Sequence, residues 1–115
     1  MSVSEFSNVV RARLMARSGG FCEVRGATCW DEASQAHHRR PRGLGGSRSP
    51  QTGQASNGLM VCLPCHSYVE ANRELARDNG WLVRQGYNPT DVPVWRRRRW
   101  VLLDDEGGLS PVVAS

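Results

Sequence analysis

The feature that most constrains this chain is its set of four cysteines, which come as two close pairs. Cys22 and Cys29 have six residues between them, and Cys62 and Cys65 have two. A chain of 115 residues buries only about two-thirds of the surface that its unfolded form exposes, so its small core gains from a covalent or metal cross-link. Two thiolate pairs brought together form the closed tetrahedral site that structural zinc prefers. The cysteine spacing therefore predicts one structural Zn²⁺ bound by all four thiolates.

Other uses of the cysteines stay open at this point. The four thiols could be buried and free in the core, or they could form disulfides, which are rare in cytosolic proteins. The Cys62-x-x-Cys65 spacing also occurs in thiol oxidoreductases. Nothing else in the chain is similar to a thioredoxin unit, however, and that function would leave Cys22 and Cys29 unexplained. Zinc accounts for all four residues and is the preferred interpretation.

The chain shows no signal for membrane insertion or export. No stretch approaches the roughly 18 to 20 consecutive apolar residues that a membrane span needs. The first residues, MSVSEFSNVVRARLM, lack a basic segment followed by an apolar one. We therefore expect a cytoplasmic protein that has no membrane partner.

Charge is unevenly distributed along the chain. All fifteen basic residues are arginine, against eleven acidic residues, which gives a net charge of +4. No acidic residue lies between Glu32 and Glu70. That interval contains four arginines: Arg39, Arg40, Arg42 and Arg48. A positive segment of this kind favours a polyanionic partner, most simply nucleic acid, so we expect these arginines to contact its backbone without reading its sequence. The alternative is an ordinary solvated loop.

Apolar periodicity and turn residues predict one domain that mixes helices and strands. An apolar stripe at Phe6, Val9, Val10 and Leu14 indicates an amphipathic helix that ends near Arg17. The apolar run 58–63 has the length of a strand, and helical spacing then continues from Cys65 to Asp78. The other predicted elements are an extended segment at 34–39, a loop at 40–56, strands at 81–84 and 98–103, and a loose tail at 104–115. Together they predict an α+β fold with a single small domain at 1–103.

The three histidines lie close in sequence to the arginine-rich interval and to the second cysteine pair. His37 and His38 are adjacent, and His66 directly follows Cys65. None lies at the offset from another that a two-Cys two-His finger requires. Adjacent side chains of an extended segment point to opposite faces, so we expect His37 and His38 to have different roles.

The run AHHRRPRGLGGS, followed by SNGLMVCLPCH, resembles the HNH endonuclease family. The resemblance is strongest to the small zinc-binding HNH nucleases of bacteriophages, and it covers about residues 18–78. It implies a ββα-metal motif held by the four-cysteine zinc site. In that motif the first strand ends at the histidine pair, the second runs from Leu59 to Cys62, and a helix begins near His66.

The same resemblance implies a role for each motif residue. His38 matches the general base that deprotonates the attacking water, and Asn57 matches the residue that fixes the loop and orients this base. His37 and His66 match the ligands of a catalytic divalent metal, such as Mg²⁺, Mn²⁺ or Ni²⁺. Some family members have a further histidine ligand four residues beyond the position of His66, where this chain has Glu70. Glu70 lies on the same helical face, either as a ligand or facing solvent.

The activity that the resemblance implies is metal-dependent hydrolysis of DNA phosphodiester bonds, by nicking or by double-strand cleavage. It also implies a phage protein, linked to DNA packaging beside the terminase and present in the host cytoplasm. The competing interpretation is a zinc-bound DNA-binding or packaging accessory module whose nuclease site is vestigial. A second basic run, Arg96 to Arg99, lies between Trp95 and Trp100 and is either a DNA contact or a solvated strand edge.

Overall fold

The fold combines three helices with two small antiparallel sheets in the computed structural model, which describes residues 6–41 and 50–112. The helices are α1 (Asn8–Ser18), α2 (Leu63–Ala71) and α3 (Arg73–Asp78). One sheet pairs β1 (Gln35–His38) with β2 (Gly58–Val61), and the other has the order β3 (Val94–Arg96), β4 (Arg99–Leu103) and β5 (Leu109–Pro111). The expected α+β class is confirmed. None of the helices in the described ranges has the length and apolar character needed to cross a bilayer.

Helix α1 forms where the apolar stripe meets a capping serine. The hydroxyl oxygen of Ser7 accepts a hydrogen bond from the backbone N–H of Val10 at 3.2 Å. Gly19 ends the helix with a φ of 67°, in the left-handed region that glycine adopts without steric cost. Phe6, Val10 and Leu14 are buried. The helix predicted from the apolar stripe is therefore present, and the stripe faces the core except at Val9, which is 63% exposed.

Strands β1 and β2 form a hairpin in which His37 lies opposite Leu59 and His38 lies opposite Gly58. All four residues of β2 are buried, so this strand is part of the core. A Cβ atom at Gly58 would lie 2.8 Å from the side chain of Leu14. Glycine at this position therefore lets α1 pack directly on the hairpin beside the histidine pair.

Helix α2 begins immediately after the hairpin. Pro64 lies in its first turn, where a missing N–H removes no helical hydrogen bond, and Cys65 and Val69 face the core. The helix ends at Asn72, whose φ of −130° and ψ of 58° are not helical. The single helix predicted for 65–78 is therefore two helices, α2 and α3. Helix α2 follows β2 so closely that His66 is fixed relative to the hairpin.

In the last third of the chain the predicted strand 98–103 is present as β4, but two other predictions are wrong. Residues 81–84 form no strand, although their apolar side chains are buried and the N–H of Val83 donates to the carbonyl of Arg39 at 2.7 Å. The prediction of a loose tail is wrong for residues 104–112, because β5 pairs with β4. The hydroxyl of Ser56 also donates to the carboxylate of Asp105. The domain therefore extends at least to Val112.

A buried ion network centred on Glu23, in the loop between Cys22 and Cys29, joins α1, β2 and β3. The carboxylate of Glu23 is fully buried and accepts hydrogen bonds from Arg17 at 2.8 and 2.9 Å, from Arg96 at 2.6 Å and from the N–H of Met60 at 2.9 Å. Burial acts to raise the pKa of this carboxyl, but the hydrogen bond and charge of Arg17, with Met60 and Arg96, hold it below its usual value. Glu23 is therefore ionised at neutral pH and connects three elements.

Candidate metal centres

The four cysteines come together from two separate parts of the chain, and we call them the cysteine cluster: Cys22, Cys29, Cys62 and Cys65. Their sulfur atoms all lie within 4.8 Å of one another, and those of Cys29 and Cys62 are 3.7 Å apart. Zn–S bonds of about 2.3 Å place the sulfur atoms of a tetrahedral site about 3.8 Å apart. A disulfide bond is much shorter, about 2.05 Å, and all four residues are free thiols. The cluster is compatible with a structural zinc site.

Backbone N–H groups point at the sulfur atoms of the cysteine cluster. The N–H of Gly26 donates to the sulfur of Cys65 at 3.3 Å, that of Trp30 to Cys62 at 3.4 Å, and that of Asp31 to Cys29 at 3.3 Å. Such bonds stabilise the thiolate, which is the form that binds metal. Burial acts to raise the pKa of the Cys62 thiol, but the N–H groups of Trp30 and Cys65 and the neighbouring thiols outweigh it and lower this pKa to about 7. Burial and the neighbouring thiols raise the pKa of Cys29 and of Cys65, whose protons a bound metal ion would displace. The donor arrangement therefore fits a metal-thiolate centre.

A second cluster brings His37, His66 and Glu70 together, and we call it the histidine–glutamate cluster. One ligand atom from each residue lies within 4.8 Å of the other two, and the two imidazole centroids are 5.0 Å apart. His37 lies on β1, whereas His66 and Glu70 lie one turn apart on the same face of α2. The hairpin and the helix that follows it therefore place two imidazoles and one carboxylate at a single point.

A further hydrogen bond orients each imidazole of this cluster. Nε2 of His37 donates to the carbonyl of Trp81 at 2.8 Å, and Nδ1 of His66 donates to the side-chain carbonyl of Gln35 at 2.5 Å. Because a carbonyl oxygen only accepts, each bond fixes the tautomer and leaves the other ring nitrogen with its lone pair. Burial lowers the pKa of His37 to about 4, so its imidazole is neutral at neutral pH. These are the conditions that a histidine needs in order to bind a metal ion.

His38 lies next to His37 in sequence but has different surroundings. Its ring stacks on that of Phe6, with centroids 4.1 Å apart and planes within 8° of parallel. It is half-buried and lies outside the histidine–glutamate cluster. The alternation of the strand therefore directs the two histidines to different neighbours, one to α2 and the other to the N-terminal segment.

Asn57 is fully buried and connects the end of β1 to the segment before β2. Its Oδ1 accepts from the backbone N–H of Arg40 at 2.7 Å, and its Nδ2 donates to the carbonyls of Arg40 and Thr52 at 3.0 and 2.9 Å. The backbone N–H of Arg39 also donates to the carbonyl of Asn57 at 2.8 Å. Since Arg39 directly follows the histidine pair, this side chain fixes the backbone beside both histidines.

The predicted DNA contact of Arg39 is wrong. Its side chain is 0% exposed, and its guanidinium donates to the backbone carbonyls of Gly80, Ser56, Pro89 and Val92 at 2.7 to 3.1 Å. Burial lowers the pKa of Arg39 to about 9, so it still carries its charge at neutral pH. A guanidinium held by four internal carbonyls cannot reach a phosphate. Arg39 is an internal anchor for the segments that surround it.

The other predicted DNA-binding arginines divide into two cases. The prediction for Arg40 is also wrong, because its side chain is only 5% exposed and its guanidinium donates to the carbonyl of Tyr87 at 2.8 Å. Arg42 and Arg48 lie outside the described residues. The charge count along the sequence could not separate internal from external arginines, since both carry the same charge.

The run Arg96 to Arg99 is a turn between strands, not a continuous strand. Arg97 and Arg98 have φ values of 50° and 67° and connect β3 to β4. Arg96 binds Glu23, and Arg97 donates to the carbonyl of Ser18 at 2.5 Å, so both guanidinium groups are used inside the domain. Arg98 and Arg99 are exposed. Two of the four arginines in the run therefore hold parts of the domain together.

Three residues that support the site carry no recognisable motif. Gln35 lies two positions before His37 and therefore on the same face of β1, a relation that strand alternation could have revealed. Trp81 and Phe6 approach from distant segments, and nothing in the sequence links them to the histidines. Their roles follow only from the tertiary structure.

Comparisons of the chain with protein-family models, with curated proteins and with solved structures give no match. The geometry of the two clusters is therefore the basis for a functional proposal.

Proposed function

We propose that the protein is a metal-dependent endonuclease of the HNH type that hydrolyses DNA phosphodiester bonds. The observation that carries this proposal is the histidine–glutamate cluster. It lies on a hairpin followed directly by a helix, with a histidine adjacent to one ligand and an asparagine that fixes the backbone there. The order of these residues along the chain is the order that the HNH motif requires.

The histidine–glutamate cluster fits a divalent metal ion. Two imidazoles and one carboxylate would hold the ion and leave coordination positions for water and phosphate. A bound ion would stabilise the charge that develops on the scissile phosphate and on the departing 3′ oxygen. Imidazole nitrogen suits Mn²⁺ and Ni²⁺ better than Mg²⁺, which prefers oxygen ligands. We therefore expect Mn²⁺ or Ni²⁺ to support faster cleavage than Mg²⁺.

In this proposal His38 is the general base. An imidazole with a pKa of about 6.5 can accept a proton from water near neutral pH, which makes the water a competent nucleophile. The new P–O bond forms as the bond from phosphorus to the 3′ oxygen breaks, so the products end in a 5′ phosphate and a 3′ hydroxyl. Phe6 restricts the rotation of the His38 ring by stacking on it. Asn57 acts through the backbone that it holds and is a positioning residue.

The competing proposal is a DNA-binding or packaging accessory module with a vestigial nuclease site. The cysteine cluster supports both proposals equally, because a structural zinc site stabilises the fold whatever the domain does. The histidine–glutamate cluster favours the enzyme, since a binding module has no need for two oriented imidazoles and a carboxylate at one point. Association with a phage terminase stays a prediction from the resemblance alone.

Supercoiled plasmid distinguishes the two proposals. Purified protein is incubated with the plasmid alone and then with added Mg²⁺, Mn²⁺ or Ni²⁺, and the conversion to open circles is followed on gels. We expect conversion only with added metal, and its loss in His37→Ala and His66→Ala variants purified in the same way. Binding of DNA without cleavage under any of these ions would support the accessory module. Equal cleavage by wild type and both variants would identify a contaminating nuclease.

A further inference from the structure

A cleft of about 480 Å³ opens between α3 and the segment 82–87. Four of the residues that line it define what we call the basic cleft: Arg73, Arg77, Arg84 and Tyr87. Its floor is formed by Leu82 and Val83, which are buried. Of the described residues that line it, none is acidic. The cleft therefore concentrates positive charge away from the arginines that the sequence predicts to bind DNA.

The basic cleft and the histidine–glutamate cluster are linked by an ion pair. On one side, Arg73 pairs with the cluster residue Glu70 at 2.7 Å. On the other side, Trp81, whose carbonyl holds His37, directly precedes the two floor residues of the cleft. One ion pair and one peptide bond thus link cleft residues to residues that form or orient the cluster. An anion bound at Arg73 would lie beside Glu70.

Two of the cleft arginines have guanidinium groups available for an external anion. Arg73 and Arg77 are four residues apart and lie on the same face of α3, while Arg84 lies on the opposite wall and is exposed. Within the described chain, neither Arg77 nor Arg84 takes part in an ion pair. Guanidinium groups bind phosphate oxygens in a bidentate manner, and several of them along one groove suit a polyanion with regular charge spacing.

Tyr87 gives the cleft an aromatic surface beside its charges. Its side chain is 60% exposed. Its backbone carbonyl is held by Arg40, and the neighbouring Gln85 donates to the carbonyl of Pro41. The loop that carries Tyr87 is therefore anchored to the end of the segment that follows the histidine pair. An aromatic ring presented between arginines is suited to contact a sugar or base while guanidinium groups hold the phosphates.

We propose that the basic cleft binds the phosphate backbone of DNA and guides it to the histidine–glutamate cluster. The proposal rests on the proposed nuclease function, and it assigns the backbone contacts to Arg77 and Arg84 instead of Arg39 and Arg40. Binding at these residues is independent of base sequence, because phosphates carry no sequence information.

The test measures binding to a short duplex by fluorescence anisotropy, without added divalent metal, across a series of salt concentrations. The variants are Arg84→Ala and Arg77→Ala/Arg84→Ala, and the charge-matched control for the first is Arg11→Ala, which removes one charge from an exposed residue outside the cleft. Losing two phosphate contacts should reduce the slope of log affinity against log salt by about 1.8 and weaken binding about 10- to 100-fold near 0.1 M salt. The control should stay within about threefold of wild type. Arg77→Lys/Arg84→Lys should recover most of the slope.

The outcomes distinguish the proposal about the cleft from the proposal that the protein is a nuclease. Wild-type affinity in the Arg77→Ala/Arg84→Ala variant, with zinc content and melting temperature unchanged, would overturn the cleft proposal even if the protein cuts DNA. A loss in Arg11→Ala equal to that in Arg84→Ala would also overturn it, because total charge and not the cleft would then govern binding. If binding depends on the cleft but the protein never cuts DNA, the cleft proposal would be supported and the nuclease proposal contradicted.

Discussion

At the level of single residues, the two adjacent histidines have different surroundings and different proposed roles. His37 is buried against α2, is oriented by the carbonyl of Trp81 and has a neutral imidazole. His38 stacks on Phe6 and lies outside the histidine–glutamate cluster. The two positions therefore differ in what they can bind. In the proposed nuclease, a metal ligand and a general base lie side by side in sequence because adjacent residues of a strand face opposite ways.

This division predicts different defects for the two histidines. His38→Ala should lower plasmid cleavage by about two to four orders of magnitude, the usual contribution of a general base, and leave Mn²⁺ affinity nearly unchanged. His37→Ala should weaken Mn²⁺ binding and lower cleavage as a consequence. Isothermal titration calorimetry with Mn²⁺, run beside the plasmid assay, checks both effects, and zinc content serves as the folding control. A His38 variant that no longer binds Mn²⁺ would show that the two roles are exchanged.

A second residue-scale prediction concerns the buried carboxylate of Glu23. Its pKa is lower in the folded protein than in the unfolded chain, so its ionisation stabilises the fold above a pH of 4.5 and this contribution is lost as the pH falls further. Glu23→Gln removes the charge that Arg17 and Arg96 share and should cost about 3 to 5 kcal/mol at pH 7. Urea unfolding of wild type and variant at several pH values measures the difference. We expect it to shrink towards acid pH; a difference independent of pH would contradict the ionised state of Glu23.

At the scale of secondary-structure elements, Arg39 explains how segments with little regular structure stay in place. Its guanidinium joins the turn before β2 to Gly80, which follows α3, and to the segment before β3. Those segments carry the carbonyl that orients His37 and the floor of the basic cleft. The anchor therefore supports the candidate site without touching a substrate.

Arg39→Met should remove this support. It leaves four buried carbonyls without their donor, and we expect a loss of about 3 to 5 kcal/mol in the free energy of unfolding. DNA affinity of the folded fraction, measured at low temperature where the variant remains folded, should stay close to that of wild type. A stable variant with strongly weakened DNA binding would restore Arg39 to the substrate surface.

Element by element, the sequence was informative where a local pattern determines the structure. The apolar stripe of α1 and the short apolar run of β2 have the periodicities of a helix and a buried strand, and both elements are present. The segment 81–84 is apolar because it is buried, and burial alone does not make a strand. Strand β5 has three exposed residues and pairs only through its backbone, so it has no apolar pattern to detect.

The candidate site was predictable to a similar extent. Spacing and residue type were enough to single out both cysteine pairs and the histidines, and the structure brings together the four cysteines and, of the histidines, His37 and His66. Whether Glu70 would join them depended on where α2 packs, which a sequence does not state. The arginines were misassigned because a buried guanidinium bound to carbonyls and an exposed one have the same sequence signature.

At the scale of the whole molecule, the cysteine cluster ties the first loop of the chain to the junction of β2 and α2. Structural zinc supplies roughly 10 kcal/mol or more in small sites, which is comparable to the total stability of a domain of this size. Removal of the metal with a strong chelator should therefore unfold the protein, as followed by circular dichroism. Protein purified without added metal should contain about one equivalent of zinc. Folded protein with less than half an equivalent would contradict this role.

In the proposed function, a divalent ion bound by the histidine–glutamate cluster supports DNA cleavage. The most direct measurement is the rate of plasmid cleavage as a function of Mn²⁺ concentration, for zinc-loaded wild type and for the Glu70→Gln variant. Glu74→Gln is the matched control, because Glu74 is an exposed glutamate nearby that lies outside the cluster. We predict a saturable rate in wild type and in the control, and at least about a tenfold higher Mn²⁺ requirement for Glu70→Gln. Cleavage without divalent metal, or identical Mn²⁺ dependence in all three proteins, would contradict a catalytic metal ion at the histidine–glutamate cluster.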